Sequence, residues 1–303
     1  MKVIVFGGAG FLGSHTADAL TKNGHDVTVF DIVESQFIKT DQKMIVGNIL
    51  DRKQVDKAVK GHDVVYNFAG IADISKASKT PVDTVEHNVL GNTIILDACR
   101  KNNVKRFVFA STLYVYSKSG AFYRSSKQSC ELIIENYNEV YGIPYTILRY
   151  GSLYGPRSDD GNYIYRTIKE AVETGKITSF GEPDDLREYI HVEDAARYSV
   201  DILSEEYENQ YVILTGNQPM RRKDLLVMIK EMLDEELKIE YEPQDSKVHY
   251  EITPYSFSPK IAMKYSGKYH LDLGQGILQC IDEVYKKCHP HEEINGIIVK
   301  NKK

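Results

Sequence analysis

A tyrosine followed four residues later by a lysine can act as a base toward an alcohol. The pattern occurs three times in this 303-residue chain, at Tyr114/Lys118, Tyr123/Lys127 and Tyr165/Lys169. Tyrosine has a reference pKa of about 10, so it accepts a proton near neutrality only where a neighbouring cation favours the phenolate. A serine or threonine could bond to the same alcohol oxygen while a hydride passes to a nicotinamide. The pattern therefore predicts oxidation of a hydroxyl group.

Tyr123 and Lys127 have the most suitable surroundings of the three pairs. They adjoin a predicted helix over 125–141, and residues four apart share one helix face. Thr112 ends the fifth predicted strand, on the edge of a parallel sheet where ligands bind. Of the other pairs, one straddles a strand end and one has no serine or threonine partner. We predict Tyr123 as the base, Lys127 as its tuning cation and Thr112 as the residue that orients the hydroxyl; a surface helix pair is the alternative.

A glycine-rich segment near the N-terminus predicts a dinucleotide site. GGAGFLG at 7–13 follows a predicted strand and opens a predicted helix. Glycine permits a tight turn and the close approach of a pyrophosphate, and the helix offers free N–H groups. Asp31 closes the second predicted strand, where an acid binds ribose hydroxyls and favours NAD over NADP. The predicted cofactor contacts in the loop are Gly7, Gly10, Phe11, Leu12 and Gly13.

Short β-branched runs alternate with amphipathic stretches through the first two thirds of the chain. Predicted strands lie at 3–6, 26–30, 44–46, 64–68, 106–110, 145–149 and 211–214. Predicted helices lie at 11–23, 52–60, 90–102, 125–141 and 193–203. Buried strands spaced by helices predict an α/β fold, a Rossmann-type doubly wound parallel sheet.

The pattern loosens after Gly151 into loops rich in glycine, proline and charge. Such loops are typical of a substrate-covering region at the carboxyl ends of the strands. We predict an NAD-binding domain over 1–150, completed by segments around 188–215. A smaller, interleaved C-terminal substrate-binding region is expected over 151–187 and 216–303.

Charge and composition narrow the choice of partners and compartment. The net charge of −5 gives no reason to expect a nucleic-acid or membrane partner. No apolar run approaches the roughly 18 residues of a membrane helix, and four scattered cysteines fit a reducing compartment, so we expect a cytoplasmic protein. No metal site is predicted, because Cys288-His289-Pro290-His291 has no partner pair elsewhere.

Further motifs accompany the glycine-rich loop and the Tyr123/Lys127 pair. They are GNI (47–49), NFAG (67–70), FAST (109–112), RYGSLYGPR (149–157) and REYIHVED (187–194). With GGAGFLGSH at 7–15, they make residues 1–215 resemble the extended short-chain dehydrogenases/reductases, the group of UDP-galactose 4-epimerase. The resemblance implies that NAD is the cofactor, that a nucleoside-diphosphate sugar is the substrate and that the protein forms a homodimer.

The resemblance also implies roles for single residues. Outside the loop, it places around the cofactor Asp31, Asn48, Ile49, Phe68, Ala69, Gly70, Asn88, Lys127 and Tyr150. Within this set, Asn48 and Ile49 would line the adenine and 68–70 would back the cofactor. Ser152 and Arg157 would border the sugar and diphosphate. Arg187 would grip a phosphate, a contact suited to a guanidinium.

Two departures from the family lie next to the catalytic triad. Leu113-Tyr114 stands where relatives that eliminate water from the sugar carry Asp-Glu, and where decarboxylating relatives carry Glu at the second position. The loop between Thr112 and Tyr123 is also shorter than usual. A 4,6-dehydratase and a decarboxylase are both less favoured as a result.

Two more departures concern the substrate. Ser152 and Glu188 stand where the family has Asn and Asp, and Ser152 has the shorter reach. The C-terminal third lacks the Arg-x-Gly-Asp stretch that often holds the nucleotide, and Lys247 or His249 could replace its arginine. The sequence therefore does not identify the nucleotide.

The first interpretation is a nucleotide-sugar 4-epimerase that acts through a transient 4-keto sugar and a tightly bound NAD. An NAD-dependent nucleotide-sugar 4-dehydrogenase or reductase is the nearest alternative, because it would use the same triad. An NAD-binding regulator without activity is the alternative from another class, and the intact Thr112, Tyr123 and Lys127 argue against it.

Overall fold

A computed structural model describes residues 1–242, 263–267 and 269–289. Its strands are β1 (Lys2–Phe6), β2 (Asp26–Asp31), β3 (Lys43–Val46), β4 (Val64–Asn67), β5 (Arg106–Thr112), β6 (Tyr145–Tyr150), β7 (Ser152–Tyr154), β8 (Lys176–Phe180), β9 (Leu186–His191), β10 (Gln210–Leu214), β11 (Pro219–Arg221), β12 (Lys238–Glu242) and β13 (Met263–Lys264). Eight of them form one sheet in the order β13-β10-β6-β5-β4-β1-β2-β3. All of its pairings are parallel, which confirms the predicted Rossmann-type fold.

Helices cover both faces of this sheet. They are α1 (Phe11–Lys22), α2 (Arg52–Val59), α3 (Ile74–Lys79), α4 (Pro81–Thr84), α5 (Gly91–Lys101), α6 (Ala121–Tyr141), α7 (Tyr163–Thr174), α8 (Val192–Asp201), α9 (Arg222–Leu233) and α10 (Leu273–Cys288). Alternation along β1 explains the layering: Val3 and Val5 join a core cluster with α1 and α8, whereas Ile4 and Phe6 join one with α2, α5 and α6. A strand that is buried on both faces therefore appears in the sequence as a continuous run of apolar residues.

The region around the triad differs from the prediction in the bounds of two elements. Helix α6 begins at Ala121 rather than at 125, after Gly120, whose φ of +94° favours glycine. Strand β5 likewise extends to Thr112. Tyr123 therefore lies in the first turn of α6, and Thr112 is the last residue of the neighbouring strand.

Two smaller sheets lie outside the central one. One has the order β11-β9-β7, and the other pairs β12 with β8. A third core cluster joins α7, α9 and α10 beneath them. Two strands do not follow the predicted domain bounds. Strand β9 belongs to a small sheet, although the prediction includes 188–215 in the NAD-binding domain. Strand β13 lies in the predicted substrate-binding region but pairs with β10 in the central sheet.

None of the helices in the described part of the chain combines the length and the apolar character that crossing a bilayer requires.

Candidate active site

The glycine-rich loop has the geometry that a pyrophosphate needs. Gly7 has a φ of +74°, and a Cβ on Gly13 would lie 2.1 Å from the Gly7 carbonyl oxygen. A Cβ on Gly10 would meet only that same oxygen, at 3.3 Å. Helix α1 starts directly after Gly10 without a side-chain cap and without an acidic residue in its first turn. The loop thus offers an uncapped helix N-terminus, which fits the predicted NAD.

The Asp31 carboxylate is held in place beside this loop. One oxygen accepts the Ala9 N–H at 3.0 Å, and the other accepts the Ile32 N–H at 2.7 Å. Each carboxylate oxygen has a second lone pair, so both remain able to accept a hydroxyl. The carboxylate therefore lies where the prediction requires it, at the end of β2 and against the loop.

Further predicted cofactor residues follow β3 and β4 at the carboxyl ends of those strands, although Ile49 packs in the core cluster with α2, α5 and α6. Phe68 and Gly70 line a cavity of about 300 Å³ together with loop residues Gly7, Gly10, Phe11, Leu12 and Gly13. The Ala69 N–H donates to Asn67 Oδ1 at 3.1 Å, which fixes this segment against Gly7. Asn48 and Ile49 follow β3, where Asn48 Oδ1 accepts the Leu50 N–H at 2.9 Å.

Thr112, Tyr123 and Lys127 line this same cavity, so the structure brings the predicted triad and the glycine loop together. Lys127 is 7% exposed, and its Nζ donates to the Ala110 carbonyl at 2.7 Å. That Nζ lies 4.7 Å from the Phe109 ring centroid and 5.8 Å from that of Tyr123. A cation beside the tyrosine ring favours the phenolate form. Thr112 Oγ1 accepts the Tyr114 N–H at 3.3 Å.

Burial shifts the pKa of Lys127. Desolvation lowers the pKa of its ammonium, and the neighbouring Cys130 and Glu131 oppose that shift. The bond to Ala110 fixes one of its three protons, so the ammonium is oriented from beneath by the strand that carries Thr112.

A buried ion pair next to the triad was not predicted from the sequence. Glu131 lies one helical turn after Lys127 and accepts from Arg149, Nη2 at 2.7 Å and Nε at 3.0 Å. Ser111 Oγ donates to the same carboxylate at 2.5 Å. The pair therefore ties α6 to β5 and β6 on either side of the catalytic residues. A glutamate four residues after Lys127 was the available signal, because i and i+4 share one helix face.

Two predicted cofactor residues have mainly structural contacts. Asn88 lies in a π-helical turn, where its Oδ1 accepts the Ile71 N–H and its Nδ2 donates to Ser126 Oγ and to the Ile71 carbonyl. It does not line the cavity; its contacts hold the segment after β4 and reach α6, and its predicted cofactor contact stays a prediction. Tyr150 lines the cavity, and its hydroxyl bonds to Ser199 at 2.6 Å.

The other two Tyr-x-x-x-Lys pairs are used differently. Lys169 Nζ pairs with Asp160 at 3.0 Å, and the Tyr165 ring is packed in the α7 core cluster. Tyr114 lies in a one-turn 3-10 helix, and Lys118 is exposed. Neither pair reaches the cofactor cavity.

A second cavity of about 330 Å³ adjoins the first and contains two of the predicted substrate residues, Ser152 and Arg187. Ala72 and Leu153 line both cavities. The second one also contains Tyr114, Arg166 and Arg222, which sequence reasoning did not select.

Arg222 is part of a charged cluster in this cavity. It donates to Asp185 at 2.5 Å and to the Phe180 carbonyl, and Arg187 lies 3.8 Å from the same aspartate. The Arg221-Arg222 pair in the sequence was the available signal, but only the fold shows that Arg222 faces Arg187. Three arginines in one cavity provide a site for an anion.

Arg157 does not join this cavity. Its guanidinium donates to Asp18 on α1 at 2.7 Å and lies 4.6 Å from the Phe37 ring centroid. The predicted substrate contact of Arg157 is therefore corrected: the residue links the 151–187 segment to the cofactor half.

Metal chemistry has no support among the residues that the structure describes, since no group of three or more His, Cys, Asp or Glu is arranged to hold an ion. Lys247, His249 and part of the Cys288–His291 segment lie outside the described residues.

Curated relatives resemble the chain over most of its length. A UDP-N-acetyl-alpha-D-glucosaminuronate decarboxylase from Bacillus cytotoxicus is 29% identical over 272 residues, covering 80% of this chain and 83% of the relative. A UDP-glucose 4-epimerase from Lactobacillus helveticus is 31% identical over 228 residues, covering 64% of this chain and 69% of the relative. The two relatives differ in reaction, so they agree on the family but not on the chemistry.

Fold and family comparisons agree with these relatives. A crystal structure of UDP-glucose 4-epimerase from Thermotoga maritima, with UDP-glucose, superimposes with a TM-score of 0.83 at 23% identity, covering 95% of this chain and all of that one. The model of the NAD dependent epimerase/dehydratase family matches residues 3–213. The chain therefore belongs to the NAD dependent epimerase/dehydratase family, which confirms the predicted extended short-chain dehydrogenase/reductase type and its cofactor, NAD.

Proposed function

We propose that this protein is a nucleotide-sugar 4-epimerase that retains its NAD through the reaction. Family membership supports an enzyme acting on nucleotide sugars, and the arrangement of the two cavities supports the finer assignment. The cofactor cavity holds the triad, and the adjoining cavity holds Arg187 and Ser152. A sugar could place its 4-hydroxyl at Tyr123 while its diphosphate lies toward Arg187.

The residues of this chain would carry the proton and orient the sugar. NAD, when bound, supplies the acceptor and later the donor of a hydride. Tyr123, as phenolate, takes the proton of the 4-hydroxyl, and Thr112 bonds to the same oxygen. Lys127 stabilises the phenolate by its charge and is held by Ala110. After the keto sugar has turned over, the hydride would return to the opposite face of C4 while Tyr123 gives its proton to the C4 oxygen, so the alcohol re-forms with inverted configuration and no net oxidation occurs.

The observation that most supports this proposal is the pair of residues that follows Thr112, Leu113 and Tyr114. Leu113 is completely buried in the core, and Tyr114 faces the substrate cavity. Neither position offers the carboxylates that elimination of water requires as acid and base. A triad without an additional acid supports reversible oxidation at one carbon.

A second candidate is decarboxylation of a nucleotide uronic acid. The Bacillus cytotoxicus decarboxylase is the observation in its favour, because it matches 80% of this chain. Position 114 argues against it, because the family resemblance implies glutamate there in decarboxylating enzymes and this chain carries Tyr114.

A substrate panel tests the proposal. The purified protein, without added cofactor, is incubated with UDP-, GDP-, CDP- and dTDP-sugars, and products are separated and identified by mass and NMR. We expect a new isomer of unchanged mass. A product lighter by carbon dioxide would assign the decarboxylase, and turnover that begins only when NAD or NADH is supplied would assign a dehydrogenase or reductase.

Tyr123→Phe is the matched variant for this panel. It keeps the ring and removes the hydroxyl, and loss of a general base lowers rates by roughly 10²–10⁴-fold. The NAD content of the purified variant serves as a folding control. Unchanged turnover in Tyr123→Phe would exclude the triad, and absence of turnover in both proteins would favour the NAD-binding regulator.

A further inference from the structure

Tyr114 occupies the wall between the catalytic residues and the substrate cavity. It follows Thr112 in a 3-10 turn that sends Leu113 and Val115 into the core and leaves Tyr114 half-buried. Its ring packs edge-on against that of Tyr123, with centroids 6.2 Å apart and planes at 77°. The phenol that is proposed as the base therefore has a second aromatic ring as its direct neighbour.

The short loop before α6 holds this ring in place. A Cβ on Gly120 would lie 2.8 Å from Tyr114 Cδ1 and 3.2 Å from its Cγ. Only glycine leaves room for the ring there, and Gly120 also has a φ of +94°. The backbone of Gly120 and the ring of Tyr123 thus support Tyr114 from two sides.

A substrate must pass this ring to react. Tyr114 lines the cavity that contains Arg187, whereas Tyr123 lines the one that contains the glycine loop. In a pyranose, the oxidised C4 lies opposite the anomeric carbon that bears the diphosphate. If C4 is at Tyr123 and the diphosphate is toward Arg187, one flank of the sugar faces Tyr114. Turning the keto sugar over exchanges its flanks, so the C6 group also meets this wall.

The chemistry of the wall selects among C6 groups. The carbon edge of the Tyr114 ring accepts a hydroxymethyl or methyl group, whereas a carboxylate against it would lose several hydrogen bonds to water, of which the single Tyr114 hydroxyl could replace one. The charged residue next to the shared lining residue Ala72 is Asp73, an acid that would repel a carboxylate further. Of the cavity's three arginines, Arg187 and Arg222 are within reach of Asp185 at the proposed diphosphate end, and Arg166 donates to the Asp160 carbonyl at 2.8 Å.

We propose that Tyr114 determines substrate choice, admitting nucleoside-diphosphate hexoses with an uncharged C6 group and rejecting those with a C6 carboxylate. This inference rests on the proposed function, because that function places C4 at Tyr123. It goes beyond it by naming the substrate class and the residue that imposes it.

Binding measurements test the inference separately from turnover. Calorimetry on the NAD-loaded protein gives dissociation constants for UDP-glucose and UDP-glucuronate, in wild type and in the Tyr114→Thr, Tyr114→Ala and Tyr114→Phe variants. We expect wild type and Tyr114→Phe to bind UDP-glucose at least about tenfold more tightly than UDP-glucuronate, a difference of about 1.4 kcal/mol in binding free energy. In Tyr114→Thr and Tyr114→Ala, this preference for UDP-glucose should be about tenfold smaller.

The outcomes separate the two proposals. Equal binding of both sugars by wild type, or an unchanged preference in a folded Tyr114→Thr or Tyr114→Ala, overturns the role of Tyr114. A preference that disappears equally in Tyr114→Phe would also overturn it, because that variant keeps the ring. If wild type shows the preference but converts no sugar, the assignment of Tyr114 to selectivity stands and the epimerase proposal fails. Thermal melting of each variant establishes folding.

Discussion

The cofactor half and the proposed substrate half of this molecule are built in different ways. On the cofactor side, backbone groups define the site: Gly7, Gly10 and Gly13 shape the loop, and backbone N–H groups hold Asp31. On the substrate side, long side chains from separate elements define it, such as Arg187 on β9 and Arg222 on α9. A backbone site tolerates little change, whereas a side-chain site can change its ligand by single substitutions.

Glycine substitutions in the loop should have the largest effect. In Gly13→Ala the new Cβ would lie 2.1 Å from the Gly7 carbonyl oxygen, so the backbone must shift. We expect a loss of about 3 kcal/mol or more in the free energy of unfolding, measured by urea titration. The expected loss is large because the clash is with backbone, which cannot rotate away.

Gly10→Ala is the matched control for the loop. Its Cβ would approach the Gly7 oxygen only to 3.3 Å, so the fold should be retained. Because Gly10 lines the cofactor cavity, NAD retention should fall while the unfolding transition changes little. If Gly10→Ala retained its full NAD content, the loop would not be the pyrophosphate site.

A pair of charge-removing variants should show that the two halves act separately. Arg187→Met removes a guanidinium from the substrate cavity, and a charge-assisted bond contributes about 1.5–3 kcal/mol. We expect KM for the nucleotide sugar to rise about tenfold or more, with NAD content unchanged. Asp31→Asn should leave that KM unchanged and raise NADP binding relative to NAD. An effect of Arg187→Met on NAD content, or of Asp31→Asn on sugar KM alone, would contradict the division.

The sequence predicts the cofactor half better than the proposed substrate half. The reason is the same contrast between a site formed by local backbone patterns and one formed by side chains from separate elements. The glycine loop, Asp31 and Tyr123/Lys127 are local patterns on regular elements, so spacing alone indicates how they are placed. Arg222 reaches the substrate cavity through contacts with Phe180 and Asp185, which are distant along the chain, and Tyr114 reaches it through an irregular 3-10 turn. Arg157 illustrates the limit, since the sequence places it beside the sugar and its contacts with Asp18 and Phe37 turn it away.

Asn88 shows a second limit of prediction from sequence. The family resemblance implies a cofactor role for Asn88, but it does not indicate that the residue lies in the π-helical turn Val85–Leu90. Its amide reaches Ser126 on α6, the helix that carries Tyr123. Fold class follows from apolar runs, but the direction of one side chain in an irregular turn does not.

The smallest predicted effect concerns two buried histidines between the halves. His15 on α1 bonds to the Pro156 carbonyl at 2.9 Å, and His191 caps α8. Burial lowers the pKa of each from 6.5 to about 4. Between these values the unfolded chain binds protons that the folded chain does not, so stability is complete above pH 6.5 and falls as the pH drops toward 4. At pH 5.5 each histidine should reduce the free energy of unfolding by about 1 kcal/mol.

Urea unfolding at pH 7.0 and pH 5.5 measures this dependence, and His15→Gln provides the comparison. The variant loses stability at both pH values because its bond to Pro156 changes, so the informative quantity is the difference between the two pH values. That difference should shrink by about 1 kcal/mol in the variant, since glutamine does not titrate. Carboxylates contribute equally to both proteins and cancel. An identical difference in wild type and His15→Gln would mean that protonation of His15 does not oppose the packing of α1 against the substrate half.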